Sequence, residues 1–221
     1  IADGPIPAPI ARFAGDAVEW VPWEFWQEAD GEWVDGVYTY GHPHLDGAML
    51  DRIRGCKIIS NYGVGVDHIR IPDAEARKIP VGNTPGVLEA ATADMAMTLL
   101  LGSARLLVQG DRYARSPEFT SYDPSYMLGR EVHSKTMGIL GMGNIGEQIA
   151  RRARAFDMTI LYYNRSRKPA AEAALPAEYV SFDDLLARSD YLVLVRPLTD
   201  ETLGNVGEYR PRGRRRHAGS V

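Results

Sequence analysis

Cysteine is almost absent from this chain of 221 residues, because Cys56 is the only one. A single thiol excludes a disulfide within the chain and is typical of a reducing compartment, so we expect a cytoplasmic protein. No run of about 18 uncharged apolar residues occurs, which predicts no membrane-spanning helix. No signal-like segment is found either, and because the sequence opens on Ile1 we expect a trimmed or incomplete start.

An excess of charge of either sign is also absent, because the formal net charge is only −4. Such a balance predicts no general affinity for nucleic acid. The length allows one large or two small domains. No set of metal ligands is assigned.

What is present is a glycine-rich segment, Thr136–Gly146, which reads TMGILGMGNIG. Gly141, Gly143 and Gly146 have the spacing of a dinucleotide-binding loop. The first glycine allows a tight turn, the second lets a pyrophosphate approach the backbone, and the third lets the following helix pack closely on its strand. The helix N-terminus would offer N–H groups to the phosphates. The segment therefore predicts a dinucleotide cofactor.

The residues around this loop are typical of a β-α-β unit. Met137–Leu140 is short and apolar, as a buried parallel strand should be. Met158–Tyr163 is a second strand, rich in residues that favour strands. Between them the apolar residues share one face of a predicted helix: Ile145, Ile149, Ala153 and Phe156. Glycine-rich loops also occur by chance, and this context favours the cofactor interpretation.

The turn after the second strand lacks the acidic residue that usually binds the ribose hydroxyls about 20 residues after the glycines. It carries Asn164, Arg165, Ser166 and Arg167 instead. Arginine at this turn suits a 2′-phosphate, so NADP(H) is favoured and NAD(H) is possible. The alternative is that both arginines are solvated loop charges.

The first hundred residues alternate between strand and helix patterns, which predicts an α/β domain with a parallel sheet. The predicted helices are Leu45–Arg54 and Ile71–Lys78, and the predicted strands are Ala17–Pro22, Val34–Tyr40, Lys57–Ser60 and Ile79–Val81. Val87–Leu107 predicts a long helix buried between two layers, followed by an irregular polar stretch, Gln109–Lys135. The domain boundary is expected in or just after this helix.

A second glycine-containing loop, Asn61–Asp67, follows the strand at Lys57–Ser60. Its position at the carboxyl end of a parallel strand is where open α/β sheets bind ligands. Adjacent backbone N–H groups in such a turn can hold a carboxylate. A plain connecting turn is the equally simple alternative.

Several motifs occur together in one order, namely Asn61–Asp67, Gly82–Gly86, Ala91–Asp94, Thr136–Gly146 and Arg196–Thr199. Together they resemble the D-isomer-specific 2-hydroxyacid dehydrogenase family over about residues 30 to 208. The turn at 162–167 resembles the glyoxylate and hydroxypyruvate reductase branch, whose members often use NADPH.

The resemblance implies two Rossmann-like domains with parallel sheets, one flavodoxin-like and one NAD(P)-binding. We expect a substrate domain at 1–105 that lacks its C-terminal return segment, and a truncated NAD(P)-binding domain at 106–207. Residues 208–221 are expected to be an aberrant basic tail. A homodimer is implied for the intact family member.

The resemblance also implies roles for particular residues. The backbone amides of Val64 and Gly65 would bind the substrate carboxylate, and His42 would either line the cleft or be an ordinary surface histidine. The cofactor contacts implied, beside the three glycines, are Asn144 and Ile145 at the pyrophosphate, Asn164, Arg165 and Ser166 at the adenosine ribose or its phosphate, and Pro197 near the nicotinamide.

The implied reaction is hydride transfer from the nicotinamide to C2 of a small 2-keto acid, giving a D-2-hydroxy acid. In the family an arginine, a glutamate and a histidine downstream of the Pro-Leu-Thr motif serve this step. Here the sequence after Glu208 is rich in arginine and lacks apolar periodicity. We therefore expect a frameshift or premature stop, with a natural basic tail as the alternative.

No residue of this chain is assigned a catalytic role, and an inactive chain is expected. His68, His133 and His217 show no partner carboxylate at a recognisable spacing, so none is nominated as the proton donor. Arg196 would touch the cofactor or serve an ordinary surface or ion-pair role. Two other functions stay open, a non-catalytic NAD(P)-binding module similar to a corepressor and a fragment without function of its own.

Overall fold

The computed structural model describes residues 1–197. The predictions for the basic tail and for His217 lie outside these residues. The described chain forms two compact units, one of Ile1–Val87 together with Pro197 and one of Leu88–Arg196.

The first unit contains a three-stranded parallel sheet in the order β2-β4-β5 and a small parallel pair, β1 with β3. Val37 of the sheet lies beside Ile59 of the next strand, and both are buried with Leu45, Met49 and Ile69 in one apolar core. The elements are α1 (Ala8–Ala14), α2 (Phe25–Glu28), β1 (Glu32–Trp33), β2 (Gly36–Thr39), α3 (Gly47–Arg52), β3 (Ile53–Arg54), β4 (Ile58–Asn61), α4 (Ile71–Ala76) and β5 (Val81–Gly82).

Two sequence predictions in this unit are wrong. The segment Ala17–Pro22 is not a strand, because only Pro22 forms a bridge, with Ala2; proline has no N–H with which to extend a ladder. The predicted helix Leu45–Arg54 starts at Gly47, capped by Asp46, and stops at Arg52. Its last residues, Ile53–Arg54, pair with β1 instead, since strand pairing satisfies backbone groups that the helix end would leave free.

The second unit contains a four-stranded parallel sheet in the order β8-β7-β6-β9. The chain enters at β6, winds outward through β7 and β8, and then returns to the other side of β6. Ligands bind at such a reversal of strand order, beside the carboxyl ends of the strands. The elements are α5 (Glu89–Ala104), α6 (Leu107–Ala114), β6 (Thr136–Leu140), α7 (Asn144–Arg154), β7 (Thr159–Tyr163), α8 (Pro169–Ala174), β8 (Ala177–Tyr179), α9 (Phe182–Arg188) and β9 (Tyr191–Leu194).

The long helix predicted at 87–107 is shorter and less buried than expected. It ends at Ala104, and α6 begins after Leu106, whose φ is +55°. The buried residues of α5 share one face (Ala93, Met97, Leu100 and Ala104), whereas Met95 and Leu99 are more than half exposed. The expectations of burial on all sides and of an irregular stretch from Gln109 are therefore wrong, the latter because α6 continues to Ala114.

No single helix among residues 1–197 is both long and apolar enough to cross a bilayer. Helices α5 and α6 reach that length and composition only as a pair, with a 59° bend between them.

Helix α5 belongs to the second unit because it packs on α7. The guanidinium of Arg152 on α7 forms an ion pair with Asp94 at 2.6 Å and donates to the Ala90 carbonyl at 3.2 Å. The division between the compact units therefore precedes α5. The functional domains expected at 1–105 and 106–207 stay a prediction.

Candidate functional site

The three glycines after β6 occupy three different environments. Gly141 has a φ of +112°, and a Cβ there would lie 2.5 Å from the Val195 carbonyl oxygen. A Cβ on Gly146 would overlap the Gly141 carbonyl. Gly143 differs, because a Cβ there would meet nothing within 4 Å. Gly141 and Gly146 are thus needed for close packing, while Gly143 leaves open space above the backbone.

Helix α7 begins directly at this open glycine. Gly143 is its N-cap and supplies no side chain, and its carbonyl accepts the first helical hydrogen bond, from Glu147 N at 2.9 Å. The preceding N–H groups, on Asn144, Ile145 and Gly146, have no acceptor within the helix by virtue of their position. Together with the helix dipole they form a site that suits phosphate.

Asn164, predicted to contact the adenosine ribose or its phosphate, contacts the glycine loop. Its Oδ1 accepts from Met142 N at 2.7 Å, and its Nδ2 donates to Met142 O at 3.3 Å. The side chain thus connects the end of β7 to the loop after β6. The spacing of the glycines gave no indication that Asn164 would hold the loop in this way.

The two arginines of the turn differ in their partners. Arg167 forms two hydrogen bonds of 2.7 Å with the carboxylate of Glu172, which also accepts from the hydroxyl of Tyr162. The hydrogen bonds from Arg167 and then Tyr162 lower the pKa of Glu172. Arg165 is exposed, as is Ser166, and it forms no ion pair with any residue that the structure describes. Arg165 is therefore the arginine available to an added phosphate.

In the first unit, the loop after β4 is anchored by Asn61, which is buried. Its Oδ1 accepts from the Thr39 hydroxyl at 2.8 Å, and Thr39 is its register partner on β2. Its Nδ2 donates to the carbonyls of Gly63 at 2.7 Å and Gly65 at 2.8 Å. The side chain lies under the loop, and both Val64 and Gly65 are exposed above it.

Two histidines lie beside this loop. The rings of His42 and His68 meet edge to face with centroids 4.6 Å apart. His42 is exposed with a φ of +61°. Its Nε2 would lie 3.3 Å from a Cβ added at Gly63. His68 is buried, and its burial, followed by the charge of His42, lowers its pKa.

His133 lies in the second unit, just before β6. Contrary to the sequence interpretation, His133 does face a carboxylate, because its Nε2 lies 4.0 Å from Glu131. Both side chains are about two-thirds exposed and precede β6, at the amino end of the sheet. No cluster of three or more metal-ligating side chains is found within residues 1–197.

Pro197 is the last described residue and is exposed after β9. Its predicted position near the nicotinamide stays a prediction, as do the other cofactor and substrate contacts.

The fold and the glycine loop define an α/β protein of the dinucleotide-binding class. The family model described as "D-isomer specific 2-hydroxyacid dehydrogenase, NAD binding domain" matches residues 97–211. This chain belongs to that dehydrogenase family, so the resemblance inferred from the motifs is confirmed. The predicted α/β class with Rossmann-like parallel sheets is confirmed as well.

Individual relatives agree with the family assignment. A glyoxylate reductase of Thermococcus kodakarensis is 47% identical over 183 residues, covering 81% of this chain and 55% of that protein. The TT0316 protein of Thermus thermophilus superposes with a TM-score of 0.79 at 35% identity, covering 91% of this chain and 65% of that one. A glyoxylate reductase of Paecilomyes thermophila gives 0.68 at 36% identity, covering 76% and 52%. The chain spans about half the length of the curated relatives it matches.

Proposed function

We propose that this chain is the cofactor-binding part, with part of the substrate-binding region, of an NAD(P)-dependent oxidoreductase that reduces a small 2-keto acid to a D-2-hydroxy acid. The observation that carries the proposal is the open backbone at Gly143, at the start of α7 and at the point where the sheet order reverses. Such a site suits the pyrophosphate of a dinucleotide. The nicotinamide, when bound, supplies the hydride.

The proposed contacts follow from the geometry of the loop. The N–H groups of Asn144 and Ile145 bind the pyrophosphate, and Gly141 and Gly146 let β6 and α7 approach closely enough to form the site. Asn164 holds the loop in place through Met142.

The cofactor proposed is NADP(H). Arg165 and Ser166 are exposed after β7, and no acidic residue occupies the positions 164–167. A guanidinium binds a 2′-phosphate through charge-assisted hydrogen bonds, whereas it gains little from a bare ribose. NAD(H) is the weaker ligand under this proposal.

The proposed substrate is a glyoxylate-like or hydroxypyruvate-like acid. Similarity to glyoxylate reductases supports the first, and the resemblance of the turn at 162–167 to the glyoxylate and hydroxypyruvate reductase branch suggests the second. The substrate carboxylate would accept hydrogen bonds from the backbone amides of Val64 and Gly65. These residues are exposed at the carboxyl end of β4, where parallel sheets bind ligands.

The proton donor is not assigned to any of the 221 residues, and we propose that this chain binds cofactor without turnover. Titration of the purified chain with NADPH and NADH, followed by nicotinamide fluorescence, tests the cofactor site. Saturable binding that is tighter for NADPH is expected. Absence of binding to either dinucleotide would contradict the proposal and favour a fragment without function.

A turnover assay separates the remaining alternatives. NADPH oxidation in the presence of glyoxylate is expected to be undetectable for this chain and measurable for a restored chain, to which a C-terminal segment carrying the arginine, glutamate and histidine implied by the family has been added. A restored chain that binds NADPH but reduces neither glyoxylate nor hydroxypyruvate would favour the non-catalytic binding module. Homodimerisation, also only implied by the family, is tested by sedimentation of the restored chain.

A further inference from the structure

Three consecutive carbonyl groups of the loop after β4 are occupied by side-chain amides. Asn61 Nδ2 donates to the carbonyls of Gly63 and Gly65, at 2.7 and 2.8 Å. Asn83 Nδ2 donates to the carbonyl between them, on Val64, at 2.9 Å. Two asparagines from different segments of the first unit therefore fix three successive peptide planes.

This arrangement decides where the loop amides point. In a trans peptide the C=O and the following N–H point in opposite directions. Because the Gly63 and Gly65 carbonyls point at Asn61, the N–H groups of Val64 and Val66 point away from it. By the same argument, the Gly65 N–H points away from Asn83. None of these three N–H groups has a backbone acceptor among residues 1–197.

The orientation of the Asn61 amide is itself fixed. The Thr39 hydroxyl donates to its oxygen, which leaves the NH₂ group to face the loop. A flipped amide would place an oxygen against two carbonyl oxygens and leave the Thr39 hydroxyl facing a donor. Both Asn61 and Thr39 are almost fully buried, at 3% and 0% exposure. If one of these hydrogen bonds were broken, water could not readily take the partner's place, and a buried polar group would be left unpaired.

We infer that Asn61 is a positioning residue for substrate binding. It orients the backbone so that the amides of the 64–66 segment are presented to a carboxylate, with Asn83 fixing the middle peptide. The inference rests on the function proposed for this loop. The sequence motif indicated only the exposed Val64 and Gly65 for the substrate carboxylate, whereas the buried Asn61 beneath them sets the direction of their amides.

The decisive variant is Asn61→Asp, which keeps the shape and the acceptor for Thr39 but places a carboxylate against two carbonyls. The probe is oxamate, an unreactive 2-keto-acid analogue, added to the ¹⁵N-labelled full chain. The amide resonances of Val64, Gly65 and Val66 are followed by NMR. Oxamate is expected to shift them in the parent chain, with a dissociation constant at least tenfold higher in the variant.

Asp46→Ala is the matched control, because it removes another side-chain bond to a backbone N–H in the same unit, that from Met49 at 3.2 Å. Its dissociation constant for oxamate is expected to stay within twofold of the parent. Should Asn61→Asp fail to fold, Thr39→Val removes the donor that orients the Asn61 amide and is expected to weaken binding several-fold.

The outcomes are distinguishable. A folded Asn61→Asp or Thr39→Val variant that binds oxamate like the parent overturns the role of Asn61 and leaves the proposed substrate site standing. Equal weakening by Asp46→Ala overturns it too, since the effect would then reflect general stability. A parent chain whose loop amides do not respond to oxamate removes the proposed substrate site, and the role of Asn61 with it.

Discussion

Asn164 and Met142 are joined by two hydrogen bonds, from Met142 N to Asn164 Oδ1 at 2.7 Å and from Asn164 Nδ2 to Met142 O at 3.3 Å. The residue at the tip of β7 thereby holds the glycine loop that follows β6. The position at which a dinucleotide-binding fold usually carries a ribose-binding acid is here used to brace the loop that receives the phosphates.

Replacing Asn164 by alanine should weaken NADPH binding about fivefold, because loss of one net hydrogen bond corresponds to about 1 kcal/mol. The loop would then lose part of its preorganisation. Fluorescence titration measures the effect. Arg188→Ala, which removes an exposed ion pair with Glu178 on β8, is the control and should leave the affinity unchanged. Equal affinity of parent and Asn164→Ala chains would contradict the bracing role.

Replacing either arginine of the turn should affect cofactor selectivity to a different extent. Arg165→Ala is expected to weaken NADPH binding about tenfold and NADH binding hardly at all, since a phosphate contact is worth roughly 1.5–3 kcal/mol. Arg167→Ala should have a much smaller effect on selectivity, because Arg167 is already paired with Glu172. The measurement is the dissociation constant for NADH divided by that for NADPH, which falls when NADPH binding alone is weakened. A ratio that falls in Arg167→Ala but not in Arg165→Ala would show that the assignment is reversed.

The glycines should separate stability from binding. Gly143→Ala places its Cβ in open space, so the thermal midpoint of unfolding should hardly change while the pyrophosphate is excluded and dinucleotide affinity is lost. Gly146→Ala forces overlap with the Gly141 carbonyl and should destabilise the second unit by about 1–3 kcal/mol. Circular dichroism melts and fluorescence titrations give the two readouts. A stable, cofactor-binding Gly146→Ala variant would contradict this division.

The stability of the first unit should depend on pH through His68. Burial and the neighbouring His42 lower its pKa, so the folded state favours the neutral ring. The unfolded state binds the proton more readily, near its ordinary pKa of about 6.5. Stabilisation by the neutral ring is therefore present above this pH and is lost as the pH falls below it.

Urea unfolding at about pH 7.5 and about pH 5.5, on either side of that ordinary pKa, measures this effect. All four tryptophans, Trp20, Trp23, Trp26 and Trp33, lie in the first unit, so their fluorescence reports on that unit alone. The drop in unfolding free energy at the lower pH should be smaller in His68→Gln than in the parent. A drop of equal size in both chains would exclude His68 as its source.

Local sequence patterns were sufficient to predict the two central strands of the second unit, β6 and β7. The predicted strand at Met137–Leu140 is β6, which starts one residue earlier, and that at Met158–Tyr163 is β7, which starts one residue later. Both runs are short, Gly141 directly follows the first, and the second is rich in β-branched and aromatic residues, which favours a buried strand over a helix. The prediction failed at Ala17–Pro22, where pairing is limited to one bridge from Pro22 to Ala2, since proline has no N–H with which to continue a ladder.

Side-chain amides were the least predictable part of the candidate site. Asn61 and Asn83 belong to motifs that the sequence singled out, but their spacing does not show which carbonyls they meet. Gly138 likewise gives no sign in the sequence that a Cβ there would overlap the Ser189 side chain. These contacts join residues that are distant along the chain or depend on the exact path of a loop.

The sequence by itself determined the cofactor class and the family, because glycine spacing and apolar periodicity are local properties that one segment can carry. Only the tertiary structure decided which polar groups are occupied and which are available. Arg167 is paired whereas Arg165 is exposed, and Asn164 braces a loop rather than projecting from one. The reason is physical, since hydrogen bonds form between groups that folding brings within about 3 Å of each other, whatever their separation in sequence.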